Sequence, residues 1–240
     1  MKKISIVLII LVFSACAFAQ KTEFRLALNS GLFSFGGNST VSESNIYVSG
    51  VDDTPNHTND IYSSKKGLSY GLSFNAEKIT KRNFIFGLNT GIEVLKNKID
   101  INGVYFYGIV GPSPATIQKG SGSTVTTYNF INTNPFVGYR FNLNKISLDL
   151  TGGFDVSYCL RAHENGFVDV SNDIRPTTSV NVKNINFDFR PRIQLESNFK
   201  KVGIYVGYSY GLINYYPQNQ VANPEAYSRL IRFGLSFKIK

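Results

Sequence analysis

The sequence predicts an all-β fold, an eight-stranded antiparallel up-and-down transmembrane β-barrel with short periplasmic turns and long outer loops. Three observations predict it. Apolar residues recur at every second position in one segment after another, with almost no 3.6-residue pattern. The connections alternate between tight and long. The face opposite the apolar one carries mainly glycine, serine, asparagine and charges of both signs. Composition agrees: 240 residues, 14% aromatic and 17% charged, are ample for a core and too aromatic for a disordered chain. Two cysteines exclude a disulfide scaffold.

Residues 1–19 read as a secretory signal peptide. Lys2 and Lys3 precede the apolar run Ile4 to Phe13, and Ala17-Phe18-Ala19 supplies a small-x-small cleavage site before Gln20. A lipid-modified Cys16 would want an aliphatic residue where the chain has Phe13. Residues 20–240 then form the barrel domain, with Cys159 as the remaining cysteine.

The strands follow in order. Phe24, Leu26 and Leu28 open the first; Leu68, Tyr70, Leu72 and Phe74 mark the second; Phe84, Phe86, Leu88, Ile92 and Val94 the third. In the fourth, Tyr128 to Phe141, the phase changes between Phe130 and Val137, and a bulge at Pro135 is expected to absorb the slip. The fifth is the clearest: Ile146, Leu148, Leu150, Phe154, Val156, Tyr158 and Leu160 share one face. Ile185 to Leu195, Val202 to Leu212 and Ile231 to Ile239 complete the set. Tight turns are expected at Thr80 to Asn83, Asn142 to Asn144 and Ser197 to Lys201. Long loops are expected at Ser34 to Lys66, Asn97 to Ser123, Ala162 to Asn184 and Asn214 to Ser228. Ile99 to Val110 reads as an extended hairpin tip or loop; a ten-stranded barrel, with two more strands there, is the alternative.

Alternation alone does not say which face points outward, since a soluble lipocalin-like binder would keep its apolar face inside. The second face decides. Small residues such as Ser69, Gly71, Ser73, Gly87, Gly91, Gly203 and Gly207 weaken a water-exposed strand but suit a narrow lumen. The apolar face is therefore placed toward lipid. By the same phase a lumen charge network is expected from Arg25, Glu77, Glu93, Arg140, Asp149, Asp155, Arg161, Asp188, Arg190, Arg192, Glu196, Arg232 and Lys238. The set is nearly balanced, as confined charges must be. The surplus bases, Lys21, Lys78, Lys81, Arg82, Lys145, Lys200, Lys201 and Lys240, gather at the short turns and termini with only Glu23 against them. Tyr70, Tyr128, Tyr158, Tyr208 and Tyr210 fall near the outer edge, and Phe24, Phe84, Phe86, Tyr139, Phe141 and Phe237 near the other, as two aromatic girdles.

Five stretches resemble the PorT-like outer-membrane β-barrel family of Bacteroidota. They are Ala17-Phe18-Ala19-Gln20, Phe24-Arg25-Leu26-Ala27-Leu28, Asn134-Pro135-Phe136-Val137-Gly138-Tyr139-Arg140-Phe141, Thr151-Gly152-Gly153-Phe154-Asp155-Val156 and Ile231-Arg232-Phe233-Gly234-Leu235-Ser236-Phe237. The resemblance implies the barrel fold and outer-membrane localisation; a minority of its members serve secretion.

The sequence offers no phosphate loop, metal-ligand spacing or nucleophile elbow, so neither catalytic residues nor a cofactor are expected. His57, near Asp52, Asp53 and Asp60, and His163, beside Glu164, are the basis of an alternative reading as a loop-borne hydrolase. The aromatic tip Val104-Tyr105-Phe106-Tyr107 is either a partner-binding loop or the top of a strand pair. The expected function is an outer-membrane barrel with a side-chain-filled lumen, acting through its outer loops in surface binding, envelope integrity or support of a secretion complex. The expected partners are outer-membrane lipid and a surface or envelope protein, without nucleic acid, and the chain is expected to be monomeric. A narrow pore is the remaining alternative.

Overall fold

The computed structural model describes residues 19–49, 55–107, 116–170, 174–182, 185–216 and 223–239. Among them there is no helix. The strands are β1 (Ala19–Gly36), β2 (Glu43–Ser49), β3 (His57–Thr58), β4 (Gly67–Thr80), β5 (Phe84–Tyr107), β6 (Thr116–Leu143), β7 (Ile146–Val170), β8 (Thr177–Asn181), β9 (Phe187–Phe199), β10 (Val202–Tyr210) and β11 (Tyr227–Lys238). The expected leader, apart from Ala19 at the start of β1, lies outside the described residues.

Eight of these strands close into a ring. Hydrogen-bonded pairs run β1–β4–β5–β6–β7–β9–β10–β11 and back to β1, all antiparallel. Closure leaves no unpaired edge. Three turns at one end are tight, and each contains a non-glycine residue of positive φ: Asn83 (64°), Asn144 (48°) and Lys200 (53°). Asparagine visits this left-handed region more readily than most residues, which suits two of these turns. The other end carries the long connections.

The pleat sorts side chains as period two requires. Along β10, Ile204 and Val206 are 64% and 52% exposed, whereas Gly203, Tyr205, Gly207 and Ser209 between and beside them are buried. Leu28, Leu68, Ile92, Phe154, Ile193 and Leu235 likewise point out, while Arg25, Ser73, Glu93, Asp155, Arg190 and Ser236 point in. The ring is apolar outside and polar within.

Three expectations are corrected. First, Asn97 to Ser123 is not simply a loop: β5 and β6 continue beyond the ring, pairing Asn97 with Thr126 and Phe106 with Thr116. Ile99 and Ile101 on β5 and Thr124 and Thr126 on β6 are all buried, so the hairpin has a face of its own to cover. The expected loop Ala162 to Asn184 likewise contains the end of β7 and the paired strand β8, and the loop Ser34 to Lys66 contains β2, β3 and the end of β1. Second, β6 has no slip at Pro135. Its register with β5 is unbroken from Phe84↔Tyr139 to Ile101↔Gly122, through Leu88↔Pro135. Tyr128 and Phe130 are in phase with Asn132, Asn134 and Arg140, and all five are buried; what changes along β6 is the chemistry of the interior, not the register. Tyr128 therefore belongs to no outer girdle. Third, the irregularity lies in β7, where Asn129 faces Arg161 but Phe130 faces Cys159, leaving Leu160 as an extra residue.

Two apolar clusters occupy the long-loop end. Phe33, Phe35, Tyr62, Leu95, Tyr128, Phe130, Tyr215 and Leu230 fill the ring's mouth. Phe35 meets Tyr62 and Tyr215 edge-on, with ring centroids 5.0 and 4.8 Å away. Tyr62 donates its hydroxyl to the Tyr215 carbonyl at 3.0 Å. Beyond this plug, β2 lies parallel to β5, and Ile46, Ile99, Ile101, Val104, Val168 and Val170 form a second core. Asn56 Nδ2 donates to Thr177 O at 2.9 Å, so the run into β3 is tied to β8. The outer strands thus curl into a small head with its own interior.

Phe33→Ala is expected to lower stability by about 3–5 kcal/mol, because Phe33 is fully buried and its neighbours are locked in edge-to-face contact. Urea midpoints of refolded protein in detergent check this.

Candidate functional site: the buried charge network

Charges enter the ring at two levels. At the short-turn end, β1 supplies Glu23 and Arg25, β4 Glu77, β6 Arg140, β7 Asp149, β9 Glu196 and β11 Lys238. Arg140 grips Asp149 with two parallel bonds, Nε to Oδ1 and Nη2 to Oδ2, both 2.6 Å, the fork geometry that a guanidinium favours. Its other bonds reach Glu77 at 3.0 Å and Glu23 at 3.2 Å. Arg25 donates to Glu23 at 2.6 Å and Glu196 at 3.2 Å, and to Asn198. Lys238 and Lys21 close on Glu23 at 2.8 and 2.7 Å. Four acids are thus matched by Arg25, Arg140, Lys238 and Lys21.

The second level lies deeper, beneath the aromatic plug. Glu93 on β5 accepts from Arg232 on β11 at 2.6 and 2.9 Å and from Arg190 on β9 at 3.0 Å. Asp155 on β7 pairs with Arg232 at 2.9 Å and Arg192 at 3.4 Å, and accepts from Ser209 at 2.9 Å. Asp188 lies 3.7 Å from Arg190 and accepts hydroxyl bonds from Ser228 at 2.7 Å and Tyr215 at 2.9 Å. That last bond joins the charge network to the plug. Three acids thus meet three arginines, and Arg190 and Asp155 are fully buried.

Twelve of the thirteen residues expected in the lumen lie inside the ring: Arg25, Glu77, Glu93, Arg140, Asp149, Asp155, Asp188, Arg190, Arg192, Glu196, Arg232 and Lys238. Arg161 does not. The extra residue Leu160 inverts the alternation of β7, and Arg161 stands exposed, donating to Asn181 Oδ1 at 3.1 Å. One participant was assigned elsewhere: Glu23, placed at the rim with the lysines, is 1% exposed and is the carboxylate on which Lys21, Arg25, Arg140 and Lys238 converge. Its spacing of two from Arg25 was the available signal.

Between the two levels lies a polar cavity of about 20 Å³, lined by Asn75, Asn89, Asn134, Arg192 and Gln194 among others. That is room for about one water molecule. Above and below this cavity the described residues place the two charge clusters across the interior.

Among the described residues neither histidine is paired with an acid. His57 is exposed and stacked on Tyr47, 5.5 Å between centroids, and its candidate partners Asp52 and Asp53 lie outside the described residues. His163 and Glu164 alternate across β7. His163 contacts Asn181 and Ser179, while Glu164 is buried in the head and accepts from Thr58 N at 3.0 Å, Thr58 Oγ1 at 2.8 Å and Thr178 Oγ1 at 2.7 Å. Cys159 packs half-buried against the aromatic cluster.

Glu93→Gln leaves Arg190 and Arg232 short of their shared counter-charge and is expected to cost about 3–5 kcal/mol. Arg161→Ala, outside the network, is expected to change stability by no more than about 0.5 kcal/mol. Equal urea midpoints for the two variants would contradict the division.

No family model matches the chain, and no curated protein does. Among solved structures the chain is similar to the crystal structure of neisserial surface protein A, with 9% identity over 91% of this chain and 99% of that one, at a TM-score of 0.36. It is also similar to a FadL homologue of Pseudomonas aeruginosa, with 11% identity over 93% and 91%, at a TM-score of 0.23. The eight-strand ring rests on its own hydrogen-bond register, not on these slight likenesses.

Proposed function

We propose that the chain is an integral outer-membrane β-barrel protein that does not conduct solutes and acts through its outer head in surface binding, with membership of the PorT-like family as the matching lineage. One observation carries this reading. The side chains exposed around the ring are leucine, isoleucine, valine and phenylalanine, while arginine, glutamate and aspartate are buried at its axis. In water this arrangement would leave a continuous apolar belt far larger than soluble monomers present. In a bilayer it satisfies both solvents, since backbone groups pair around the ring and lipid meets only hydrocarbon. The packed interior favours a filled barrel over a pore. The head supports the binding role, because a cored sheet holds its exposed residues more rigidly than a loop does. No catalytic role is proposed for His57 or His163, whose neighbours are tyrosine, asparagine and serine.

Fractionation is expected to place the mature chain in the outer membrane, with heat-modifiable gel migration and no steady conductance in planar bilayers. Recovery in the soluble periplasm would overturn the reading. Val206→Arg, at the middle of the outward face of β10, is expected to weaken insertion by about 2–4 kcal/mol, read as loss of the fast-migrating form at a lower urea concentration.

A further inference from the structure

The outer surface of the ring is not uniformly convex. Near the short-turn end a hollow of about 540 Å³ opens between Phe84, Phe86, Val137, Tyr139, Leu150 and Ile193. Its floor is Gly152, the one interruption in the outward apolar row of β7. Packing does not demand a glycine there. A Cβ on Gly152 would meet nothing closer than the Arg192 carbonyl oxygen at 4.0 Å, whereas at Gly138 and Gly153 it would come within 2.3 and 2.4 Å of a backbone oxygen. Glycine also weakens a strand. The position thus gives up strand propensity and leaves a space of small-molecule size, within the roughly 300–1,000 Å³ of ordinary ligand sites.

The end of the hollow is basic on its outward side. Lys81 and Arg82 are exposed in the turn that leads into Phe84, and Lys145 is exposed in the neighbouring turn. Asn83 fixes the first turn to β6, its carbonyl accepting from Arg140 N at 2.9 Å and its side chain from Asn142 at 3.1 Å. The acids of that end, Glu23, Glu77, Asp149 and Glu196, point into the ring. On the membrane reading, to which this inference is tied, a bilayer gives no hydrophobic drive for filling the hollow with protein, and an unfilled hollow forfeits dispersion contacts on every wall. A hydrocarbon chain of the surrounding lipid is the filler at hand, and the bases next to it select its headgroup.

We propose that this hollow holds an acyl chain of an anionic glycerophospholipid whose phosphate rests against Lys81, Arg82 and Lys145. The test is native mass spectrometry of the full mature chain released from detergent, after mixing with phosphatidylglycerol or with phosphatidylcholine of the same acyl composition. The wild type is expected to retain phosphatidylglycerol in preference to phosphatidylcholine. Gly152→Leu sets a branched side chain on the floor of the hollow, its Cβ no closer than 4.0 Å to the Arg192 carbonyl oxygen, and is expected to lower retention of both lipids at least fivefold. Lys81→Ser with Arg82→Ser, in an exposed turn, is expected to lose about fivefold in phosphatidylglycerol retention per base removed while phosphatidylcholine is unchanged. Undiminished phosphatidylglycerol retention by a folded Gly152→Leu chain, or by the double variant, would overturn the proposal, as would equal retention of the two lipids by the wild type. Heat-modifiable migration of the wild type, run in parallel, separates this failure from failure of the membrane reading itself.

Discussion

Glu93 holds two arginines, and Asp155, two strands further round the ring, reaches both of those arginines and a third, Arg192. These five residues come from four strands, Arg190 and Arg192 being next-but-one neighbours on β9, so the network exists only when β5, β7, β9 and β11 are all in register. The constraint works in both directions. A guanidinium carried into a low-dielectric interior without its carboxylate costs several kcal/mol, so every strand slip is opposed by the charges it would strand. Register here is fixed by pairing at the axis as much as by the apolar outer face.

The same axis changes character along its length. From the short turns upward it passes from the Glu23–Arg140 cluster through the asparagine-lined cavity to the Glu93–Arg232 cluster, and then abruptly to phenylalanine and tyrosine. Asp188 is the joint, ion-paired on one side and accepting the Tyr215 hydroxyl on the other. The plug is built partly from the long connections, since Tyr62 and Tyr215 lie in them. Burial, with Asp60 nearby, pushes the Tyr216 hydroxyl up to about 12, and the Tyr62 hydroxyl is raised by burial too. These rings stay neutral, which suits their packing against one another.

Much of the ring was legible in period two, because the rule that successive side chains face opposite ways leaves no freedom once one residue is placed. The outward rows of β4, β7, β10 and β11 follow directly from it. The rule fails where one residue is added, as at Leu160, since a bulge leaves no local signature and only the partner strand reveals it. It also fails where hydrophobicity is taken as a label for the outer face: Tyr128 and Phe130 are apolar and inside. Glu23 is the converse case: it neighbours the turn and terminal lysines in character, yet its phase with Arg25 carries it inside. The head is legible only in part: Ile99 to Val110 shows strand character, but the partner segments in β2, β6 and β8 carry much serine and threonine, and their pairing depends on residues remote in sequence.

The parallel pairing of β2 with β5 bears on the order in which the molecule is made. Parallel neighbours need a crossover, and here the whole of β4 intervenes before the partner strand is synthesised. Until that hairpin exists, β2 has no template, and its alternating Ile46 and Val48 wait beside an open edge of unsatisfied amides. The head therefore cannot pair strand by strand from its N-terminal side, and until β5 is in place the edge of β2 is open to the wrong neighbour.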